Sequence, residues 1–169
     1  MKYTCIKTVA IYLLATLPLL ANASTHKVKI THSVMVGDGI AKFIPEGFDA
    51  QKIPSFAIEK EPREQGALPA DWVLVPEFSL TDGKANASLT VPEGTSIYGG
   101  GEVTGSLLRN GKTIKLWNTD SGAYGVDKGT RLYQSHPWMM GVRKDGTAFG
   151  ILFDTTWKAE LSSTDEKIE

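Results

Sequence analysis

The chain has 169 residues, and its 18 Lys and Arg residues against 19 Asp and Glu residues give a net charge of −1. This length allows one domain with its own hydrophobic core and excludes a (β/α)₈ barrel, which needs about 250 residues. The hydrophobic fraction of 41% is typical of a folded protein, and without a basic excess we expect no nucleic-acid partner.

Residues 1–23 have the organisation of a secretory signal peptide. Lys2 and Lys7 supply a positive start without any acidic residue, and an apolar run of about a dozen residues follows. This run is shorter than the roughly 20 residues of a membrane-spanning helix, and Ala-Asn-Ala at 21–23 is a suitable cleavage site. We therefore expect a helical leader that is cleaved before Ser24. The remaining chain would be exported to the periplasm or the extracellular space, with no stable membrane insertion.

Loss of the leader changes the chemistry available to the remaining chain. Removing 23 of the 169 residues leaves 146, and the loss of two lysines takes the net charge from −1 to −3. Cys5, the only cysteine, is also lost, which excludes disulfides, thiolate catalysis and a Cys-ligated metal. The stretch 105–113 resembles a phosphate-binding loop but has five residues between its glycines instead of four. The three histidines lack metal-site spacing, so we expect no metal and no cofactor.

The remaining chain has the pattern of short strands separated by turns. Apolar and polar residues alternate from His26 to Val36, and Gly, Pro and Asp clusters interrupt the later apolar runs. Further short strands are predicted at Trp72–Val75, Glu77–Leu80, Ser88–Val91 and Thr113–Trp117, and around Ala159 and Leu161.

The strongest local signal is a hairpin near the C-terminus. Trp138–Arg143 and Thr147–Asp154 flank Lys-Asp-Gly at 144–146, and such a tight turn needs the positive φ that Gly adopts freely. In the second of these strands, apolar residues occupy both of the alternating sets of positions, so we expect it to be buried on both faces. No amphipathic helix of ordinary length follows residue 24. These features predict an all-β fold, an antiparallel β-sandwich occupying residues 24–169.

The segment from Tyr98 to Trp138 combines exposed carboxylates and amides with flat aromatic rings. This combination suits sugar binding, because rings cover the apolar face of a pyranose while carboxylates accept hydrogen bonds from its hydroxyls. The same residues also fit turn glycines and core aromatics, and composition leaves both interpretations open.

Four ordered motifs carry a more specific resemblance. They are Tyr-Gly-Gly-Gly-Glu at 98–102, Leu-Trp-Asn-Thr-Asp at 116–120, Leu-Tyr-Gln-Ser-His-Pro at 132–137, and the hairpin at 141–154. Together they resemble the N-terminal domain of glycoside hydrolase family 31, the α-glucosidase and α-xylosidase family. The resemblance implies a galactose-mutarotase-like β-sandwich, incomplete at its C-terminus, that packs on a (β/α)₈ barrel absent from these 169 residues. It also implies retaining hydrolysis of α-linked sugars by two barrel aspartates.

The resemblance assigns no catalytic residue to this chain, which by itself should be inactive. It implies that Asp120 hydrogen-bonds substrate hydroxyls at the barrel mouth, with Trp117 and Tyr124 as weaker candidates for lining the same mouth. Asp120 could instead cap a turn with the Ser-Gly that follows it. Glu102 is expected to be structural, accepting backbone N–H groups.

Two functions of different class follow for the chain. The first is the N-terminal fragment of an exported α-glucosidase-like hydrolase, whose sandwich contributes carbohydrate binding at the mouth of the catalytic barrel. The alternative is a secreted, lectin-like carbohydrate-binding sandwich without catalysis.

Overall fold

The computed structural model of the protein describes residues 7–12, 25–49, 63–120 and 132–169. Within these ranges the chain forms twelve β-strands and no helix. In chain order the strands are β1 (Lys7–Tyr12), β2 (His26–Val28), β3 (Ile30–Gly37), β4 (Ile40–Pro45), β5 (Glu77–Thr81), β6 (Lys84–Thr90), β7 (Ser96–Gly101), β8 (Thr113–Leu116), β9 (Ser135–Val142), β10 (Ala148–Asp154), β11 (Ala159–Ser162) and β12 (Lys167–Ile168).

The strands form three sheets around one core. A six-stranded sheet has the order β3-β4-β1-β10-β9-β7, a four-stranded sheet the order β12-β6-β5-β2, and β11 pairs with β8. All pairings are antiparallel except those of β1 with β4 and β10. Buried side chains from all three sheets join one hydrophobic cluster, which includes Phe43, Met139, Ile151, Phe78, Leu89, Ile114 and Leu161. The predicted all-β, mainly antiparallel sandwich is confirmed.

The alternating segment from His26 to Val36 is two strands instead of the predicted one. β2 pairs with β5 in the four-stranded sheet, whereas β3 pairs with β4 in the six-stranded sheet. The chain changes sheets at Lys29, whose carbonyl accepts a hydrogen bond from the Glu46 N–H at 2.8 Å. Periodicity did not reveal this corner, because a strand that bends from one sheet to another keeps the alternation of its side chains.

The C-terminal hairpin is confirmed. β9 and β10 pair in register around the turn, where Gly146 has φ of 80°. The Asp145 carboxylate accepts hydrogen bonds from the Thr147 N–H at 2.9 Å and from its hydroxyl at 2.7 Å. Five of the seven residues of β10 are buried and the other two half-buried, as expected for a strand covered on both faces.

The prediction of a strand at Trp72–Val75 is wrong. These residues form no strand, and the Trp72 indole N–H donates to the Leu74 carbonyl at 2.8 Å. Leu74 is buried, whereas its neighbours Val73 and Val75 are exposed. The pattern that suggested a strand therefore comes from a single buried side chain. Pro76 follows directly and has no N–H with which to extend a ladder.

The helix predicted for the leader is not found where the structure describes that segment. β1 lies between β4 and β10, with Val9 in register with Ala41 on one side and Ile151 on the other. A short apolar run that includes β-branched residues suits the middle of a sheet as well as a helix, and periodicity cannot separate the two. Residues 1–6 and 13–23 of the predicted leader lie outside the described residues. Among the residues that the structure describes, none forms a helix long and apolar enough to cross a membrane.

Candidate functional site

Three segments that are far apart in sequence meet at the end of β7. They are the Gly101-Glu102 end of β7, residues 117–120 after β8, and residues 132–135 before β9. The Glu102 N–H donates to the Gln134 carbonyl at 2.8 Å, and the Thr119 N–H donates to the Leu132 carbonyl at 2.9 Å. Backbone hydrogen bonds therefore align all three segments.

Two polar side chains reinforce this alignment. The Asn118 Oδ1 atom accepts the Ser135 N–H at 2.8 Å, and the Glu102 Oε2 atom accepts the Tyr133 N–H at 3.1 Å. The structural role predicted for Glu102 is confirmed, because its carboxylate satisfies a backbone donor that would otherwise need water. Asn118 has the same role at Ser135.

The glycines of β7 explain why the segments can approach so closely. Gly101 has φ of 88°, and a Cβ atom there would lie 2.5 Å from the Gln134 carbonyl oxygen and 2.6 Å from the His136 nitrogen. Only glycine allows both the backbone conformation and the contact. Sequence reasoning missed β7 because three successive glycines indicate a loop. Glycine in a strand also marks a bulge or a close backbone approach, and a register shift is observed between Gly99 and Gly101.

Asp120 and Tyr133 form the polar centre of the assembled segments. Both residues are exposed, and the Tyr133 hydroxyl lies beside the Asp120 carboxylate. Hydrogen bonding to Asp120 and its negative charge, followed by desolvation and the charge of Glu102, raise the pKa of Tyr133 above its ordinary value of 10.0. The phenol is therefore protonated at neutral pH, beside two carboxylates that can accept hydrogen bonds from hydroxyl groups.

Trp117 lines a different feature, a cleft of about 430 Å³ that Trp157 also lines. The two indoles are 50% and 41% exposed. The Lys158 Nζ atom lies 5.9 Å from the centroid of the Trp117 ring, within the range of a cation–π contact. The remaining lining residues are Leu116, Asn118, Ser135, Pro137, Thr155 and Thr156.

The residues predicted for substrate binding have different positions. Asp120 lies in the polar centre and Trp117 in the cleft, and Tyr124 lies outside the described residues. Sequence reasoning missed Tyr133 as a partner of Asp120, although Tyr133 belongs to one of the four motifs. It also missed Trp157, because that residue fits a strand alternation with Ala159.

Among the residues that the structure describes, no group of three or more His, Cys, Asp or Glu side chains is arranged to hold a metal ion.

The fold and this site together define an all-β sandwich domain with an exposed polar and aromatic face. Residues 55–161, more than half of the chain, match the glycosyl hydrolase 31 N-terminal galactose mutarotase-like domain. The chain belongs to this family, in agreement with the four motifs.

Two relatives are similar over a shorter region. Alpha-glucosidase 2 of Bacillus thermoamyloliquefaciens is 46% identical over 77 residues, which are 44% of this chain and 10% of that protein. An alpha-glucosidase of Hordeum vulgare is 42% identical over 80 residues, which are 46% of this chain and 9% of that protein. The match therefore spans about a tenth of the length of each relative.

Proposed function

We propose that this chain is the N-terminal β-sandwich of an exported, retaining α-glucosidase-like hydrolase and that it contributes carbohydrate binding at the mouth of a catalytic barrel. Family membership and the two alpha-glucosidase relatives support the class of enzyme. The sandwich would pack on the barrel, and the barrel would supply the nucleophile and the acid/base. Export rests on the leader-like residues 1–23, and a mature N-terminus at Ser24, measured by mass spectrometry, would support it.

The observation that carries the binding role is the Asp120 carboxylate beside the Tyr133 hydroxyl. Exposed carboxylates bind sugars by accepting short, strong hydrogen bonds from hydroxyl groups, and a neighbouring phenol can donate to a sugar oxygen. Glu102 and Asn118 hold the backbone of this loop in place through the Tyr133 and Ser135 N–H groups. Such preorganisation reduces the entropy lost when a ligand binds.

The direct test is Asp120→Ala in the full-length enzyme, with kcat and KM measured on an α-glucoside. We expect kcat/KM to fall tenfold or more, because a charged acceptor of a substrate hydroxyl is lost. Tyr133→Phe should lower kcat/KM by a smaller factor, because the carboxylate remains. Glu93→Ala is the matched control, since Glu93 is an exposed carboxylate in the turn before β7. Unchanged kinetics for a folded Asp120→Ala enzyme would exclude the role.

The 169-residue chain by itself should not turn over substrate. Retaining hydrolysis needs two carboxyl groups on either side of the scissile bond, and we propose that both belong to the barrel. An assay with a chromogenic α-glucoside tests this. Turnover by the purified chain that depends on Asp120 would assign the chemistry to the sandwich instead.

A further inference from the structure

The cleft between Trp117 and Trp157 is a second aromatic feature that the Asp120 contact does not use. Tryptophan is highly buried on average in folded proteins, yet these two indoles keep half and two-fifths of their surface exposed. Exposed aromatic area around a concavity is typical of a binding site. The volume of about 430 Å³ lies in the usual range of small-molecule sites.

The segments that carry the two indoles adjoin the paired strands β8 and β11. Leu116, the last residue of β8, pairs with Ala159 of β11, which brings the segments after β8 and before β11 side by side. The Trp157 N–H donates to the Thr155 hydroxyl at 3.2 Å, and the Thr119 hydroxyl donates to the Trp117 carbonyl at 3.1 Å. These contacts order both indole-bearing segments before any ligand arrives, which lowers the entropic cost of binding.

Polar groups at the cleft still have hydrogen-bonding capacity. Asn118 uses its Oδ1 atom to accept the Ser135 N–H, whereas its NH₂ group donates to none of the residues that the structure describes. The indole N–H groups of Trp117 and Trp157 likewise donate to no residue within the described ranges. Among the described residues, the cleft lining therefore combines two exposed indoles with amide and indole donors that have no partner there, and it includes no carboxylate.

We propose that this cleft is a second subsite for a neutral pyranose unit of an α-linked oligosaccharide, next to the Asp120 contact. A pyranose presents an apolar C–H face to an aromatic ring and hydroxyls at its edge, which matches two indoles rimmed by amide and hydroxyl groups. Trp117 and Asp120 are three residues apart, so their Cα atoms lie within about 11 Å. That separation is short enough for one oligosaccharide to reach both. The ligand class rests on the proposed function, whereas the position of the subsite rests on the cleft.

The test is titration of the 169-residue chain with maltose and maltohexaose, followed by tryptophan fluorescence. We expect maltohexaose to bind more tightly than maltose and Trp157→Ala to raise its Kd tenfold or more. Trp157→Phe should recover part of this loss, because a ring remains. Trp138→Phe is the control, because Trp138 is a partly exposed indole on β9 outside the cleft lining. An unchanged Kd for folded Trp157→Ala, or no binding of either sugar, overturns the subsite.

A second measurement separates this proposal from the role of Asp120. In the full-length enzyme, Trp157→Ala should raise KM for maltohexaose at least fivefold and leave kcat/KM for a short aryl glucoside unchanged. If Asp120→Ala lowers activity while Trp157→Ala changes neither Kd nor KM, the subsite fails and the proposed function stands. If Trp157→Ala weakens binding while Asp120→Ala leaves kinetics unchanged, the subsite stands and the Asp120 contact fails. A lower melting temperature of the full-length Trp157→Ala enzyme without any sugar binding would assign the cleft to packing within the whole protein.

Discussion

Replacing Arg109 by Met should destabilise the domain strongly. Arg109 is only 4% exposed, and no ion pair links it to a carboxylate among the described residues. Its Nε atom donates to the Gly99 carbonyl at 3.0 Å and its Nη1 atom to the Ser106 carbonyl at 2.7 Å. The guanidinium therefore ties β7 to the loop that precedes β8.

The expected size of the effect follows from these two hydrogen bonds. A hydrogen bond from a charged donor contributes about 1.5–3 kcal/mol, and Met would also leave the Gly99 and Ser106 carbonyls without this donor. Removing a buried charge offsets part of this loss. We expect a net loss of about 3 kcal/mol, which for a domain of this size lowers Tm by roughly 6–12 °C.

Denaturant titration followed by fluorescence, together with calorimetry, measures the change. Arg109→Lys should recover at most half of the lost free energy, because an ammonium group cannot reproduce the planar fork of donors. Lys112→Met is the control, since Lys112 is an exposed cation in the same loop and should change stability by less than about 0.5 kcal/mol. A folded Arg109→Met chain within that same margin of the unmodified chain would refute the reasoning.

Three further outcomes are expected. Gly150→Ala should cost about 1–3 kcal/mol in denaturant titration, because the new Cβ atom would overlap the Trp138 ring; an unchanged midpoint would contradict this. Hydrogen bonds from Thr147 lower the pKa of Asp145 below 3.8, so its stabilising contribution is present above that pH and is lost as the pH falls through the lowered pKa. Asp145→Asn should therefore reduce the loss of stability at acid pH. An unchanged loss of stability at acid pH would count against this role of Asp145. Deleting residues 1–23 should reduce stability and increase binding of a hydrophobic dye, because β4 and β10 lose the strand between them; equal stability would show that β1 is dispensable.

The deletion matters because Lys7–Tyr12 belongs both to the predicted leader and to β1. Sequence predicts that residues 1–23 are removed on export, whereas Lys7–Tyr12 completes the six-stranded sheet. β4 and β10 are largely buried strands, unlike typical edge strands, which are short or charged. If export removes β1, the backbone groups of β4 and β10 that pair with it need another cover, such as a strand, a helix or a loop.

Local chemistry made several elements predictable. The β9–β10 hairpin follows from Asp-Gly between two apolar runs, and the turn geometry belongs to those residues alone. The alternation that predicted β8 is matched by the buried Ile114 and Leu116. The role of Glu102 could be anticipated because a carboxylate after three glycines has backbone donors close by.

The sequence by itself determined the all-β class, the main hairpin, the four ordered motifs and hence the family. These depend on side-chain periodicity and on turn residues, which act over a few positions. Tertiary structure decided that β2 and β3 belong to different sheets, that β7 ends in three glycines, and that Trp117 and Trp157 line one cleft. Each of these depends on backbone contacts between segments up to tens of residues apart, and such contacts leave no periodic signal in either segment.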